Sequence, residues 1–322
     1  MSLVEKFQTV IVFLSVVIGF FLGQIDFLAD QAGHLVIPAL FVMLFGLFLS
    51  VPLKDLRKSF KNVRFAFVVV VINFVWTPVL VWALGGIFLS AQPALWIGFI
   101  MLMVTPCTDW YLVFTGIAKG NVPLSTSILP LNLILQVVLL PVYLFIFADT
   151  SGSVNLNALF HSILIILILP FLLAQFTKYI LFRCGPGNSG QSRFCDFFSN
   201  LQTPMLALAI MAMFASQGRN LLANIHILYW LLLPILIFYA INFILAQIVS
   251  KKLKFNYEDT ASLTITTIAK NSPMTLGIAV MAFPNEPIIA LAMIIEPLVE
   301  LPVMVLVSRL LLTIKSKRPA SL

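Results

Sequence analysis

The chain has 322 residues, of which 61% are hydrophobic and 10% charged, with a formal net charge of +7. A mean hydropathy of +1.08 and far less charge than the roughly 25% of soluble domains exclude a water-soluble fold and indicate a polytopic membrane protein. The basic excess is parted among the connections on one side of the apolar runs, which points to a lipid bilayer and not to nucleic acid as the expected partner.

Apolar runs of about 20 residues match a hydrocarbon core of roughly 30 Å. Ten occur, at 8–25, 33–51, 65–86, 94–117, 123–147, 156–181, 199–217, 226–249, 260–283 and 287–312. The expected fold is therefore an all-α integral membrane protein with ten transmembrane helices and short connections. Span one follows Lys6 and has the look of a signal-peptide core. No small-x-small cleavage site follows it and further spans do, so it counts as a span. With both ends inside, all of the 19 basic residues except Arg219 and Lys270 fall on the inner side: Lys6, Lys54, Arg57, Lys58, Lys61, Arg64, Lys119, Lys178, Arg183, Arg193, Lys251, Lys252, Lys254, Arg309, Lys315, Lys317 and Arg318. Asp26, Asp30, Asp149 and Glu286 fall on the outer connections, and Trp82, Trp96 and Trp230 lie near outer span ends. This is the positive-inside pattern with an aromatic belt. It places the chain in a plasma or inner membrane with cytoplasmic termini.

Prolines inside spans free a backbone carbonyl that needs another partner. Pro38 of span two and Pro204 of span seven are 166 residues apart. Pro106 of span four and Pro273 of span nine are 167 apart, as are Pro130 of span five and Pro297 of span ten. Half the chain separates each pair, so 1–150 and 151–322 read as two five-helix repeats. An odd number of spans per repeat inverts the second copy, the plan in which broken helices meet near the midplane of a transporter. Spans four and nine are the expected broken pair.

Span four reads "MVTPCTDWYLVFTGIAKGN" from Met103 to Asn121, with Pro106, Cys107, Thr108 and Asp109 where lipid should be. Its counterpart is "KNSPM", Lys270 to Met274. If both helices break at Pro106 and Pro273 and cross, these polar groups line a cavity; ordinary proline kinks would not account for the charge at both breaks. Four ionisable residues fall within spans: Asp109, Lys270, Glu296 and Glu300. Each costs about 2.5–3.5 kcal/mol at a helix centre and marks a pathway or proton relay by default. A buried ion pair that only holds helices together is the other reading. Glu296 and Glu300 are four residues apart, hence on one face of span ten, and Asn132 and Gln136 share a face of span five.

Cys184 and Cys195 lie in the connection "RCGPGNSGQSRFC", where the cytosol keeps thiols reduced. His34, His161 and His226 form no metal-ligand pattern, and neither a metal site nor a cofactor is expected. No catalytic constellation is visible, so the chain does not read as an enzyme. A lone polar crossing also differs from the ring of pore-lining groups that a channel needs.

Over nearly its whole length the chain resembles the bile acid:sodium symporter superfamily, and within it the arsenite-efflux permeases. The resemblance rests on "PCT" in span four, on Lys119-Gly120 following Cys107 by 12 and 13 residues, and on "EPLVELPV" in span ten. In the permeases the last motif typically reads Gly-Pro-Leu-Val-Glu-Val-Pro-Val. The resemblance implies a panel and a core domain with spans four and nine crossing, a metalloid ligand at Cys107 and a functional carboxylate at Glu300. Two departures stand out. The permeases' Asn-Asn-Phe-Glu is replaced by Ser272-Pro273-Met274-Thr275, and the sodium-binding glutamate and glutamine of the bile-acid branch are Thr266 and Lys270, followed by Asn271-Ser272. A sodium ion there would meet an ammonium group; two unit charges 4 Å apart repel by about 4 kcal/mol at an effective dielectric of 20.

Arsenite is a neutral, thiophilic hydroxide at neutral pH, and one thiol amid small polar groups is a soft ligand for it. The reading is a secondary active transporter exporting arsenite or antimonite, coupled to protons and not to sodium. Its substrate site is expected at Cys107, Thr108, Asp109, Asn132, Asn271, Ser272 and Glu300, with coupling through Asp109, Lys270, Glu296 and Glu300. Lys270 is either a fixed charge at the crossing or one that gives up its proton in one conformation. An organic-anion carrier of the same superfamily is the alternative.

Overall fold

The computed structural model describes residues 8–50, 62–108, 110–148, 156–183, 189–223, 226–284 and 286–317. Asp109, Cys184, Asp149, Lys6, Lys54, Arg57, Lys58, Lys61 and Arg318 lie outside them. Among the described residues the chain is helical, with one isolated β-bridge and no strand.

Twelve helices are described: α1 (Gln8–Leu22), α2 (Asp26–Ser50), α3 (Val63–Phe88), α4 (Pro93–Met103), α5 (Trp110–Ile117), α6 (Val122–Ala148), α7 (156–183), α8 (Ser189–Ala223), α9 (His226–Lys252), α10 (Tyr257–Ile268), α11 (Ser272–Ala282) and α12 (Pro287–Lys317). Segments of α2, α3, α6, α7, α8, α9 and α12 are each long and apolar enough to cross a membrane, seven in all. Ten apolar runs become seven long helices for two reasons. Span one forms a short helix, and spans four and nine are each divided into two short ones.

Proline alone does not divide a helix here. Pro38, Pro130, Pro141, Pro204, Pro234, Pro297 and Pro302 all sit inside continuous helices. Pro273 is the second residue of α11, a first-turn position where a missing N–H costs no helical bond. Two helices instead carry a π turn, at Ile72–Trp76 of α3 and Leu164–Ile168 of α7. In α3 the Tyr143 hydroxyl donates to the Phe74 carbonyl at 2.6 Å, giving a carbonyl of the π turn a buried partner.

The chain forms two compact units that interleave in sequence: 1–52, 152–227 and 273–294, and 53–151, 228–272 and 295–322. In the first, α8 packs along α1 and α2, and α7 packs on α2. Close approach of α1 to α8 depends on absent side chains; a Cβ on Gly23 would fall 2.5 Å from the Ala215 carbonyl oxygen. In the second, Phe65, Ala66, Val69 and Ile72 of α3 share an apolar cluster with Ile128 of α6, Ala246 of α9 and Leu263 of α10. Helix α10 is buried from Thr260 onward. Three of its threonines are satisfied by bonding back one turn, Thr260 to Asn256, Thr264 to Thr260 and Thr267 to Leu263, at 2.6–2.9 Å, the usual solution for a hydroxyl in a buried helix.

Candidate functional site

The second unit holds both helix breaks. Helix α4 ends at Met103 and α5 resumes at Trp110; α10 ends at Ile268 and α11 begins at Ser272. Between them the two extended segments pair antiparallel, with Pro106 opposite Lys270. The Cys107 N–H donates to the Ala269 carbonyl at 3.0 Å and the Asn271 N–H to the Thr105 carbonyl at 2.9 Å. These two bonds flank the central pair, which is therefore a non-hydrogen-bonded pair of the ladder. That explains Pro106. It occupies a position in this short ladder where no N–H is required.

Its opposite number does have an N–H, and the Lys270 amide donates to Glu300 Oε1 at 2.8 Å. The side chains complete the junction. Asn271 Nδ2 donates to Thr108 Oγ1 at 3.3 Å, and the Thr105 hydroxyl bonds back to the Leu102 carbonyl at 3.1 Å. Cys107, Thr108, Lys270, Asn271, Ser272, Glu296 and Glu300 are all buried.

The Lys270 ammonium makes no hydrogen bond among the described residues. It lies 4.8 Å from the centroid of the Phe238 ring, a desolvated cation–π contact of about 2 kcal/mol. Glu300, Glu296 and the Cys107 thiol are within its electrostatic reach. Glu296 is fully buried and accepts a 2.7 Å hydrogen bond on Oε1 from the Tyr239 hydroxyl. Its Oε2 has no hydrogen-bond partner, and neither does Thr266 Oγ1.

The structure thus brings together Pro106, Cys107, Thr108, Lys270, Asn271 and Glu300, with Ser272 opening α11 and Glu296 beside them. Asp109 lies outside the described residues. Asn132 and Gln136 are buried in α6, and none of their amide atoms finds a hydrogen-bond partner; no hydrogen bond ties either to the junction. Phe238 and Tyr239 were not foreseen, because adjacent aromatics in an apolar span carry no signal of their own. Asn73 was detectable. The tripeptide Ile-Asn-Phe occurs at 72–74 in α3 and again at 241–243 in α9, and both Asn73 and Asn242 are buried with the side-chain oxygen unpartnered. A cavity of about 310 Å³ in the first unit, beside Asp30, Gly33, Ser216 and Phe283, includes none of the nominated residues.

Comparison with known proteins sets this geometry in a family. Residues 37–224 match the profile of the Sodium Bile acid symporter family. The chain is 24% identical to Arsenical-resistance protein Acr3 of Corynebacterium glutamicum, over 94% of this chain and 87% of that protein. It is 21% identical to Arsenical-resistance protein Acr3 of Alkaliphilus metalliredigens, over 93% and 90% of the two chains. An uncharacterized sodium-dependent transporter of Bacillus subtilis, YocS, is 23% identical over 75% and 72%. The profile covers more than half of the sequence, and the chain belongs to the sodium bile acid symporter family.

Proposed function

We propose that this transporter exports a trivalent metalloid hydroxide, arsenite or antimonite, in exchange for protons and without sodium. The observation that carries this reading is the paired junction itself. It holds a buried thiol, Cys107, among Thr108, Asn271 and Ser272, with a buried ammonium where a sodium-coupled relative needs a cation ligand. The two arsenical-resistance relatives support the substrate class. Thiolate is a soft ligand suited to arsenic, while hydroxyl and amide groups complement the substrate's neutral hydroxides. Glu300 fixes the second break through the Lys270 amide. Lys270 supplies the positive charge, and proton exchange runs through the group Lys270, Glu296 and Glu300, joined by Asp109 as the sequence proposes. Asn132 extends the site along α6.

In the accompanying architecture the two sequence halves, 1–150 and 151–322, are inverted repeats that together make one transport unit. Spans four and nine cross near the midplane and both termini face the cytoplasm. Support comes from the proline offset, the recurrent Ile-Asn-Phe and the pairing of the two breaks. An organic-anion carrier is the second reading, favoured by the unbonded Lys270 ammonium and by the family's description. Arsenite-sensitive cells expressing the chain separate the two. Retained arsenic should fall with the wild-type protein and not with Cys107→Ser present in the membrane at equal amount; equal export by both proteins removes the thiol from the site.

A further inference from the structure

The two carboxylates of α12 are one helical turn apart, yet they are used differently. Glu300 is committed to the backbone, because its Oε1 takes the Lys270 N–H at 2.8 Å and so holds the second break open. A carboxyl that must keep an acceptor oxygen on a main-chain amide is a structural group first. Glu296 bonds no backbone group. Its Oε1 is held by the Tyr239 hydroxyl at 2.7 Å, and its buried Oε2 has no partner in hydrogen-bond geometry, with the Ser272 hydroxyl and the Glu300 carboxyl as the nearby side chains that act on the group.

A fixed oxygen and an uncommitted one on the same carboxyl are what a proton carrier needs. The fixed oxygen keeps the group aimed, and the other takes and returns the proton. We propose that Glu296 is the proton-binding residue of this transporter and that Tyr239 is its positioning residue. This rests on the proton-coupled reading above. One proton from the outer solution converts the Glu296 carboxylate to the acid at Oε2, and its release to the inner solution restores the carboxylate; no other bond changes. The groups facing Glu296 are Tyr239 from α9, Lys270 and Ser272 from the second break, and Glu300 from its own helix. Lys270, on the Phe238 ring, is the standing counter-charge of the ionised state.

The test is independent of the transported substrate. Purified full-length protein in phospholipid nanodiscs is titrated with acid and followed by infrared difference spectroscopy in the protonated-carboxyl region. Wild type should show a buried-carboxyl band that appears on acidification. Glu296→Gln should remove it. Tyr239→Phe should move it to higher frequency, because the carbonyl loses its hydrogen bond, and should also shift its midpoint. If Glu296→Gln does not fold, the Tyr239→Phe frequency decides. A wild-type protein with no titrating band overturns the proposal. So does a band that survives Glu296→Gln, or one unmoved by Tyr239→Phe. Should the band behave as expected while no metalloid is carried, the proton site stands and the substrate reading alone falls.

Discussion

Helices α2 and α8 each carry a proline and run unbroken, whereas the segment around Pro106 separates into α4 and α5. The difference lies in what receives the freed backbone. Around Pro38 and Pro204 the chain keeps its helical bonds elsewhere and tolerates one missing N–H. At Pro106 a second extended segment supplies matching donors and acceptors, with Cys107 bonded to Ala269 and Asn271 to Thr105. A break in an apolar span is stable only when it is paired, since each unsatisfied backbone group costs several kcal/mol away from water. The break is also where the polar side chains gather, so chemistry and backbone disruption share one cause.

That contrast can be broken most severely at Glu300. Glu300→Ala leaves the buried Lys270 amide without its acceptor and removes a carboxylate within electrostatic reach of the Lys270 ammonium; an unsatisfied buried group costs about 1–3 kcal/mol, and more where a charge is involved. The melting temperature in detergent should fall by several degrees and export should disappear. Lys270→Gln is milder. It forfeits the cation–π contact, about 2 kcal/mol, and should lower thermal stability without creating sodium dependence. Its pH response of flux should persist if Glu296 carries the proton, and vanish if Lys270 does. Cys107→Ser puts a hydroxyl at a buried position and should lower stability by no more than about 1–3 kcal/mol, less than Glu300→Ala, while metalloid flux drops by at least about tenfold, equivalent to 1.4 kcal/mol. The smallest effects belong to the unbroken helices and the thiol remote from the junction. Pro38→Ala and Cys195→Ser should change neither flux nor melting measurably, and loss of flux in Pro38→Ala would undo the distinction between paired and unpaired prolines.

Much of this was legible before the structure. Helical content and the existence of two breaks follow from apolar run length and from the polar residues at Pro106 to Asp109 and Lys270 to Ser272. Pro106 and Pro273 looked equivalent in the sequence, but one lies in the extended pair and the other in the first turn of α11. Proline reports only that an N–H is missing; which position needs none depends on the ladder register, and register is a property of two segments. The division of labour between Glu296 and Glu300 was invisible for the same reason. Spacing put them on one face, but their partners, Tyr239 and the Lys270 amide, arrive from elsewhere in the chain. Long-range pairing decides such roles.

The most direct test of the central claim is metalloid uptake into everted membrane vesicles under imposed ion gradients. Arsenite should accumulate saturably when a proton gradient is present, with no change when sodium is replaced by choline, and Cys107→Ser vesicles should match vesicles lacking the protein. Uptake that needs sodium, or no arsenite uptake above empty vesicles under any gradient, would contradict the account.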